Sequence, residues 1–250
     1  MSNGKLNGKV AVVTGASKGI GAGIAKAFGA EGASVVVNYA SDKAGADRTV
    51  AEIVKAGGKA IAVKASVAEE ADVKHLFAET RKAFGKLDVL VNNAGVYQFA
   101  PLEQVTEHEF HHQFGVNVWG TIQATREALP LFGKDGGSVI NISSVVSRKA
   151  IPGSAVYAGT KGAVDTLTQV LAAELGARNI RVNAINPGMV ESEGTHAAGF
   201  IGSDFQKKTE SSSPLGRIGQ PRDIASVAVF LAGNDAGWLT GEKIVVSGGF

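Results

Sequence analysis

Tyr157 and Lys161 stand four residues apart within Ser154–Gly176, a segment with helical spacing. On a helix that puts both on one face. A lysine ammonium beside a phenol favours the phenolate and lowers a pKa that is otherwise about 10. A tyrosine tuned in this way can give a proton to a carbonyl oxygen, or take one from the corresponding alcohol. Ser144 ends the preceding strand-like run. Strand carboxyl ends are where open α/β sheets build their sites, and the Ser144 hydroxyl could hold the same oxygen. The plain alternative is coincidence. With 3 Tyr in 250 residues, a Tyr-x-x-x-Lys pair arises by chance roughly 0.2 times per chain. The pair alone is therefore a weak signal.

A second cluster is Thr14-Gly15-Ala16-Ser17-Lys18-Gly19-Ile20-Gly21, which follows the first strand and opens the first helix. Glycines there let backbone approach a pyrophosphate, and the helix N-terminus faces its negative charge. The alternative is an ordinary strand-to-helix turn. The spacing is Gly-x-x-x-Gly-x-Gly, not the Gly-x-Gly-x-x-Gly fingerprint, so position after the first strand carries most of the weight.

A third motif competes. His108-Glu109-Phe110-His111-His112 satisfies the His-Glu-x-x-His pattern of zinc peptidases. A catalytic zinc needs a third protein ligand, and only a lone His196 follows downstream. Phe110 and Phe114 are spaced for the buried face of this helix, about 100–200° around from His108 and His112. The expectation is a solvated helix surface with no metal site.

These residues need a scaffold. Val10–Thr14, Ser34–Tyr39, Ala60–Val63, Leu87–Val91, Ser138–Ile142, Ile180–Ile185 and Lys243–Val246 are short, nearly continuous apolar runs. Strands buried on both faces of a parallel sheet read this way. Between them lie Ala-rich, helix-spaced segments: Ile20–Ala30, Lys43–Ala56, Glu69–Phe84, Leu102–Leu131, Ser154–Gly176 and Arg222–Ala232. Strand–helix alternation with right-handed crossovers predicts an α/β fold, a single-domain, Rossmann-type, doubly wound parallel sheet of about seven strands with helices on both faces. No linker or repeat interrupts residues 1–250. The irregular stretch Gly188–Gly219 is expected to be a substrate loop or lid.

Composition narrows the classes. Hydrophobic residues are 44%, charged residues 19%, and there are 33 Gly but 6 Pro, a globular rather than disordered balance. There is no Cys, which excludes disulfides, thiolate catalysis and Cys-ligated zinc or iron–sulfur sites. The net charge is +2 with no basic run, so nucleic acid is not an expected partner. No apolar run is long enough to span a bilayer, and Met1–Lys9 lacks the apolar core of a signal peptide. A cytoplasmic protein is expected, with no membrane partner.

Taken together, the motifs resemble the short-chain dehydrogenase/reductase family. The matching elements are Thr14–Gly21, Asn92-Asn93-Ala94-Gly95, Asn117, Ser144, Tyr157-x-x-x-Lys161 and Pro187-Gly188, in the family's order, from about Asn7 to Phe250. Within the family the chain looks most like 3-oxoacyl thioester reductases and sugar or polyol dehydrogenases. The resemblance implies a general acid/base in Tyr157, and a Lys161 that lowers its pKa and holds the nicotinamide ribose. It implies a Ser144 that polarises the substrate carbonyl, and an Asn117 that interrupts its helix to hold a water in a proton relay. It puts Asn92 and Gly95 against the cofactor's adenosine side. Its other cofactor positions are Gly15, Ser17, Lys18, Gly19, Ile20 and Gly21, then Tyr39 and Ser41, Ser66 and Val67, Asn93 and Ala94, and Pro187, Gly188, Val190 and Ser192. Three residues depart from the family pattern: Ser66 for an Asp at the adenine amine, Ser192 for a Thr at the carboxamide, and Ser247 for an Asp near the C-terminus. The family also implies a homotetramer that pairs Leu102–Leu131 and Ser154–Gly176 across a twofold axis.

The expected reaction is hydride transfer between NADP(H) and a carbonyl/secondary alcohol substrate, a ketone or 3-oxoacyl compound. An NAD(P)-dependent sugar or polyol dehydrogenase is the alternative. A cofactor-binding regulator without catalysis is a third reading, opposed by the intact Ser144, Tyr157, Lys161 and Asn117. For an acyl-carrier partner, Arg178 is one suitable basic position, but Asp135 occupies the other, beside Lys134. NADP(H) is expected over NAD(H) because the second strand ends Val37-Asn38-Tyr39-Ala40-Ser41 with no acid until Asp42. An acid there would hold a ribose hydroxyl and repel a 2′-phosphate. Lys18 and Ser41 could contact that phosphate, worth about 10–100-fold in preference. Lys18 as a merely solvated turn residue is the alternative, and Asp42 is the main hazard to the argument.

Overall fold

The computed structural model describes residues 4–250; Met1–Asn3, where the polar N-terminal stretch begins, lie outside the described residues. The seven apolar runs form β1 (Val10–Val13), β2 (Ser34–Tyr39), β3 (Lys59–Lys64), β4 (Val89–Asn92), β5 (Gly137–Ile142), β6 (Ile180–Pro187) and β7 (Lys243–Val246). All pair in parallel, in the order β3-β2-β1-β4-β5-β6-β7. The chain winds outward from β1 to β3, returns beside β1, and winds the other way to β7. This is the doubly wound Rossmann-type sheet. Its direction reverses between β1 and β4, where such sheets open a crevice at their carboxyl ends.

Strand side chains alternate between two cores, as the period of two requires. Ala11, Val13, Val35, Val37, Val89 and Ile140 face one, with Ile24 and Phe28 of α1 (Gly19–Ala30), Ile53 of α2 (Lys43–Lys55), and Ile224 and Leu231 near the chain's end. Val10, Val12, Leu90, Val139 and Val182 face the other, with Leu76 of α3 (Glu70–Phe84). The long segment after β4 supplies α4 (Glu107–Phe114) and α5 (Gly120–Ala128). The segment after β5 is α6 (Ala155–Leu175). Ala124 of α5 and Leu175 of α6 close the second core.

The structure corrects three expectations. β7 is an edge strand paired only with β6, and its Val245 is exposed, so burial on both faces fails there. Leu102–Leu131 is not one regular helix. A short turn at Leu102–Gln104 precedes α4, whose Thr106 cap accepts the Glu109 N–H at 3.2 Å, and a wide turn at Gly115–Trp119 joins α4 to α5. Gly188–Gly219 is not structureless. It carries α7 (Glu193–Ala197) and α8 (Asp204–Ser212), capped by Ser192 and Ser203, before α9 (Pro221–Ala232). Serine caps with acceptors three residues on were present in the sequence as helix-start signals.

Phe28 is wholly buried where α1 meets the sheet. Phe28→Ala should lower unfolding free energy by about 3–5 kcal/mol, read as a lower denaturant midpoint at unchanged slope. A loss below about 1 kcal/mol would contradict this packing.

Candidate active site

The turn after β1 is built for close approach. Gly15 has a φ of +61° and Gly19 a φ of +56°. A Cβ on Gly15 would lie 2.9 Å from the Ala94 Cα, so the turn and the segment after β4 touch backbone to backbone. Hydrogen bonds lock that contact. Asn93 Nδ2 donates to the carbonyls of Thr14 and Gly15 at 2.8 and 3.0 Å, and Thr14 Oγ1 accepts the Asn93 and Ala94 N–H groups at 2.9 and 3.0 Å. Asn38 ties in the neighbouring strands. Its Oδ1 accepts the Gly15 N–H at 3.1 Å and its Nδ2 donates to the Ala65 carbonyl at 2.9 Å.

Lys18 stands at the N-cap of α1 without capping it, and is exposed. The first free N–H of the helix, that of Gly19, donates instead to Glu193 Oε2 at 3.0 Å. A carboxylate from α7 thus sits at the positive end of α1, which demonstrates that the position accepts an anion.

A cleft of about 580 Å³ runs along the carboxyl ends of the strands. Its wall contains Gly15, Ser17, Lys18, Gly19, Ile20, Gly21, Ser41, Ser66, Val67, Asn93, Ala94, Gly95, Ser144, Tyr157, Lys161, Pro187, Gly188, Val190 and Ser192, all expected from the sequence. Two expectations are corrected. Tyr39 does not line the cleft; it is 7% exposed and packs with Val37, because odd-numbered positions of β2 face the core shared with α1 and α2. Asn38, Ala40 and Asp42 take its place in the wall. Asn92 is also turned away. Its Nδ2 bonds Thr125 Oγ1 and Asn141 Oδ1 at 3.0 and 2.9 Å inside the protein, whereas its neighbour Asn93 braces the turn. Asn117 interrupts its helix, as expected, at the wide turn between α4 and α5, and its side chain is buried behind the wall. Its Oδ1 accepts the Val96 N–H at 2.8 Å, and its Nδ2 donates to the Val96 carbonyl at 2.8 Å and Thr160 Oγ1 at 3.0 Å. It couples the segment after β4 to α6 at the wide turn, one residue from the catalytic candidate Lys161.

Ser144 follows β5; its hydroxyl accepts the Val146 N–H at 3.3 Å and lies beside the Tyr157 phenol, whose pKa it acts to lower. Lys161 lies one helical turn on, its Nζ 5.7 Å from the Tyr157 ring centre and donating to the Ile142 carbonyl at 2.8 Å. The protonation balance differs from the sequence expectation. Burial pushes the Tyr157 phenol up to about 12, against the opposing pull of the nearby Ser144 hydroxyl. Burial pulls Lys161 down to about 8, with the Asp165 carboxylate acting in the opposite direction. Desolvation outweighs the Ser144 contribution, so in the free protein the phenol keeps its proton.

Two features escaped the sequence reading. Asn186 Nδ2 bonds the Ser144 carbonyl at 3.1 Å and Asp165 Oδ1 at 3.0 Å, bracing the serine from β6 and α6 together. The Lys161–Asp165 spacing of four was the available signal. The second is a group of rings. Tyr97, Phe99, Phe200 and Phe205 line the cleft beside Tyr157. Phe99 is 6.0 Å and Tyr97 5.8 Å, centre to centre, from the Tyr157 ring.

At the rival motif, the His108 and His112 rings stack 6.4 Å apart. No group of three His, Asp or Glu side chains suited to a metal ion occurs among the described residues. The expected buried face of this helix is corrected, since Phe110 is 41% exposed and Gln113 is the buried side chain of α4; His108 and His112 are exposed, as expected, with His112 at the cleft rim.

A family profile described as enoyl-(acyl carrier protein) reductase matches residues 15–250. An uncharacterised oxidoreductase of Methylorubrum extorquens is 57% identical, over 98% of both chains. A tetrahydroxynaphthalene reductase of Pyricularia oryzae is 39% identical, over 98% of this chain and 90% of that one. A crystal structure of an angucycline C-6 ketoreductase with bound NADP superposes with a TM-score of 0.92 at 38% identity, covering 98% of this chain and 96% of the other. The chain belongs to the short-chain dehydrogenase/reductase family, oxidoreductases that bind nicotinamide cofactors and act on a C=O/CH–OH pair. Among the described residues no helix is long and apolar enough to cross a membrane.

Two outcomes follow from this geometry. In an ultraviolet titration of the free protein, the tyrosinate signal absent from Tyr157→Phe should emerge only near pH 12. Its emergence by about pH 9 would contradict the dominance of burial. Glu193→Gln should tighten binding of NADP(H), measured by cofactor fluorescence, by about 3- to 10-fold, because a competing negative charge leaves the α1 N-terminus. Unchanged or weaker binding would show that the carboxylate does not compete.

Proposed function

We propose that the chain is an NADP(H)-preferring ketone reductase, working as a cytoplasmic homotetramer whose protomers each form a single domain. The observation that carries this reading is that Ser144, Tyr157 and Lys161 line the same cleft as the glycine turn, with the Lys161 Nζ 5.7 Å from the Tyr157 ring centre. A bound reduced nicotinamide would supply the hydride for the carbonyl carbon. The glycine turn and the α1 N-terminus would hold its diphosphate, and Asn93, Ala94, Gly95, Pro187, Gly188, Val190 and Ser192 would line its length. Ser144 donates a hydrogen bond to the substrate oxygen and fixes its position. Tyr157 gives that oxygen its phenolic proton, so the carbonyl gains one hydride and one proton and leaves as the alcohol. Lys161 stabilises the phenolate that remains. Asn117 keeps Val96 and Thr160 in register around Tyr157.

The NADP(H) preference is supported by Lys18 and Ser41 in the cleft wall and by Asp42 being drawn to a different task. Asp42 caps α2, with Oδ1 accepting the Gly45 N–H at 2.9 Å. The ring-lined mouth disfavours a sugar or polyol, which needs many hydrogen-bonding partners. Arg178 is engaged with the Leu129 carbonyl at 2.8 Å, so it lends no support to an acyl-carrier partner. The homotetramer draws support from the exposed apolar Phe110, Trp119 and Val170 on the α4–α6 side.

Tyr157→Phe should cost about 10²–10⁴ in kcat for ketone reduction while leaving the Kd for NADP(H) unchanged. Near-full activity would remove Tyr157 as the proton donor. Lys18→Ala should lower kcat/KM with NADPH about 10-fold and leave that with NADH unaltered. An equal loss with both cofactors would show that Lys18 does not recognise the 2′-phosphate.

A further inference from the structure

Two walls of rings face each other above Tyr157, and they come from distant parts of the chain. Tyr97 and Phe99 follow β4. Phe200 lies between α7 and α8, and Phe205 is in the first turn of α8. The Tyr97 and Phe200 rings are nearly parallel, 20° apart in tilt with centres 6.3 Å apart. Phe99 meets Phe200 edge-on, at 88° and 5.6 Å, and its centre is 6.0 Å from that of the Tyr157 ring. Phe205 extends the second wall outward, 5.6 Å from Phe200. Ile151 and Met189 add apolar surface to the same cleft.

A flat ring held between two others needs about 7–8 Å between the outer faces, two contact distances of 3.5–4.0 Å. The Tyr97 and Phe200 ring centres are 6.3 Å apart, which bounds the separation of their planes from above, so the walls must part by at least about one ångström to admit a ring. Phe200 sits between Gly199 and Gly202, both at positive φ, +70° and +81°. These are the residues that let a short segment shift at little conformational cost. A flat aromatic ring therefore needs the smallest parting of the two walls, and a thicker saturated ring a larger one. Aromatic pairs also favour the stacked and edge-on arrangements these four rings already present.

We propose that the substrate is an uncharged, fused-ring ketone that contains an aromatic ring, whose flat part enters between Tyr97 and Phe200 and brings its carbonyl to Ser144 and Tyr157. This rests on the reading of the site as a ketone reductase. Phe99 and Phe200 then determine specificity and play no part in the proton transfer.

The test compares three ketones with NADPH: 2-tetralone, which is bicyclic and aromatic; 2-decalone, of similar outline but saturated; and ethyl 3-oxobutanoate, which is acyclic. Expected is a kcat/KM for 2-tetralone at least about 10-fold above both others. Phe99→Leu and Phe200→Leu keep apolar bulk but remove the ring. Each should lower kcat/KM for 2-tetralone about 10-fold through KM, with kcat retained, and leave ethyl 3-oxobutanoate within about 2-fold. The unchanged acyclic ketone reports that the variants are folded. Equal or better turnover of 2-decalone or ethyl 3-oxobutanoate, or an equal loss on all three in the Leu variants, overturns the aromatic slot but leaves ketone reduction standing. No reduction of any of the three overturns the ketone-reductase reading and the slot with it.

Discussion

A parallel sheet ends, at its carboxyl edge, in backbone groups with no strand partner, and burying such groups unpaired is costly. In this chain asparagine side chains take them up. Asn38 links the glycine turn to the loop after β3, and Asn93 clamps that turn to the segment after β4. Asn117 fastens the same segment to α6, and Asn186 holds Ser144 from β6. Each amide both donates and accepts or bridges two elements, which an apolar residue could not do. The cleft depends on this lacing: it puts a backbone-lined turn, a serine and a tyrosine–lysine pair on one rigid edge.

That lacing also sets the electrostatics. Lys161 is held within the wall by the Ile142 carbonyl, and Asp165 is its nearest opposite charge on the same helix. Burial makes the phenol a reluctant acid and the lysine a reluctant cation. A phenol that stays protonated is suited to giving its proton when a carbonyl oxygen gains negative charge. At that moment an ammonium close by is worth most, since the surrounding medium screens it little. The arrangement thus favours the state in which charge develops over the resting state.

Much of this was legible in the residues. Apolar runs and Gly-punctuated helices gave all seven strands and their alternation with helices, since burial on both faces imposes a continuous pattern on inner strands. β7 departed from it because an edge strand has only one neighbour. Tyr157 and Lys161 were readable because helical spacing of four is local. Tyr39 was misplaced because its orientation turns on strand alternation, where one residue reverses the face. The phenol's pKa was misjudged because a spacing shows which charges are near but not how much water is lost. The ring walls were invisible for a different reason: Tyr97 and Phe200 are neighbours only through the fold. The two short helices around Phe200 had visible serine caps, and reading those as helix starts would have replaced an irregular loop with a structured cap.

The central claim is that Ser144, Tyr157 and Lys161 reduce a carbonyl with a hydride from a nicotinamide held along the glycine turn. It is tested most directly by following isotope from NADPH deuterated at the transferable position of the nicotinamide into the product. The account predicts one deuterium on the carbinol carbon of the alcohol, on a single face, with the hydroxyl proton drawn from solvent. An alcohol formed without deuterium at that carbon would contradict it.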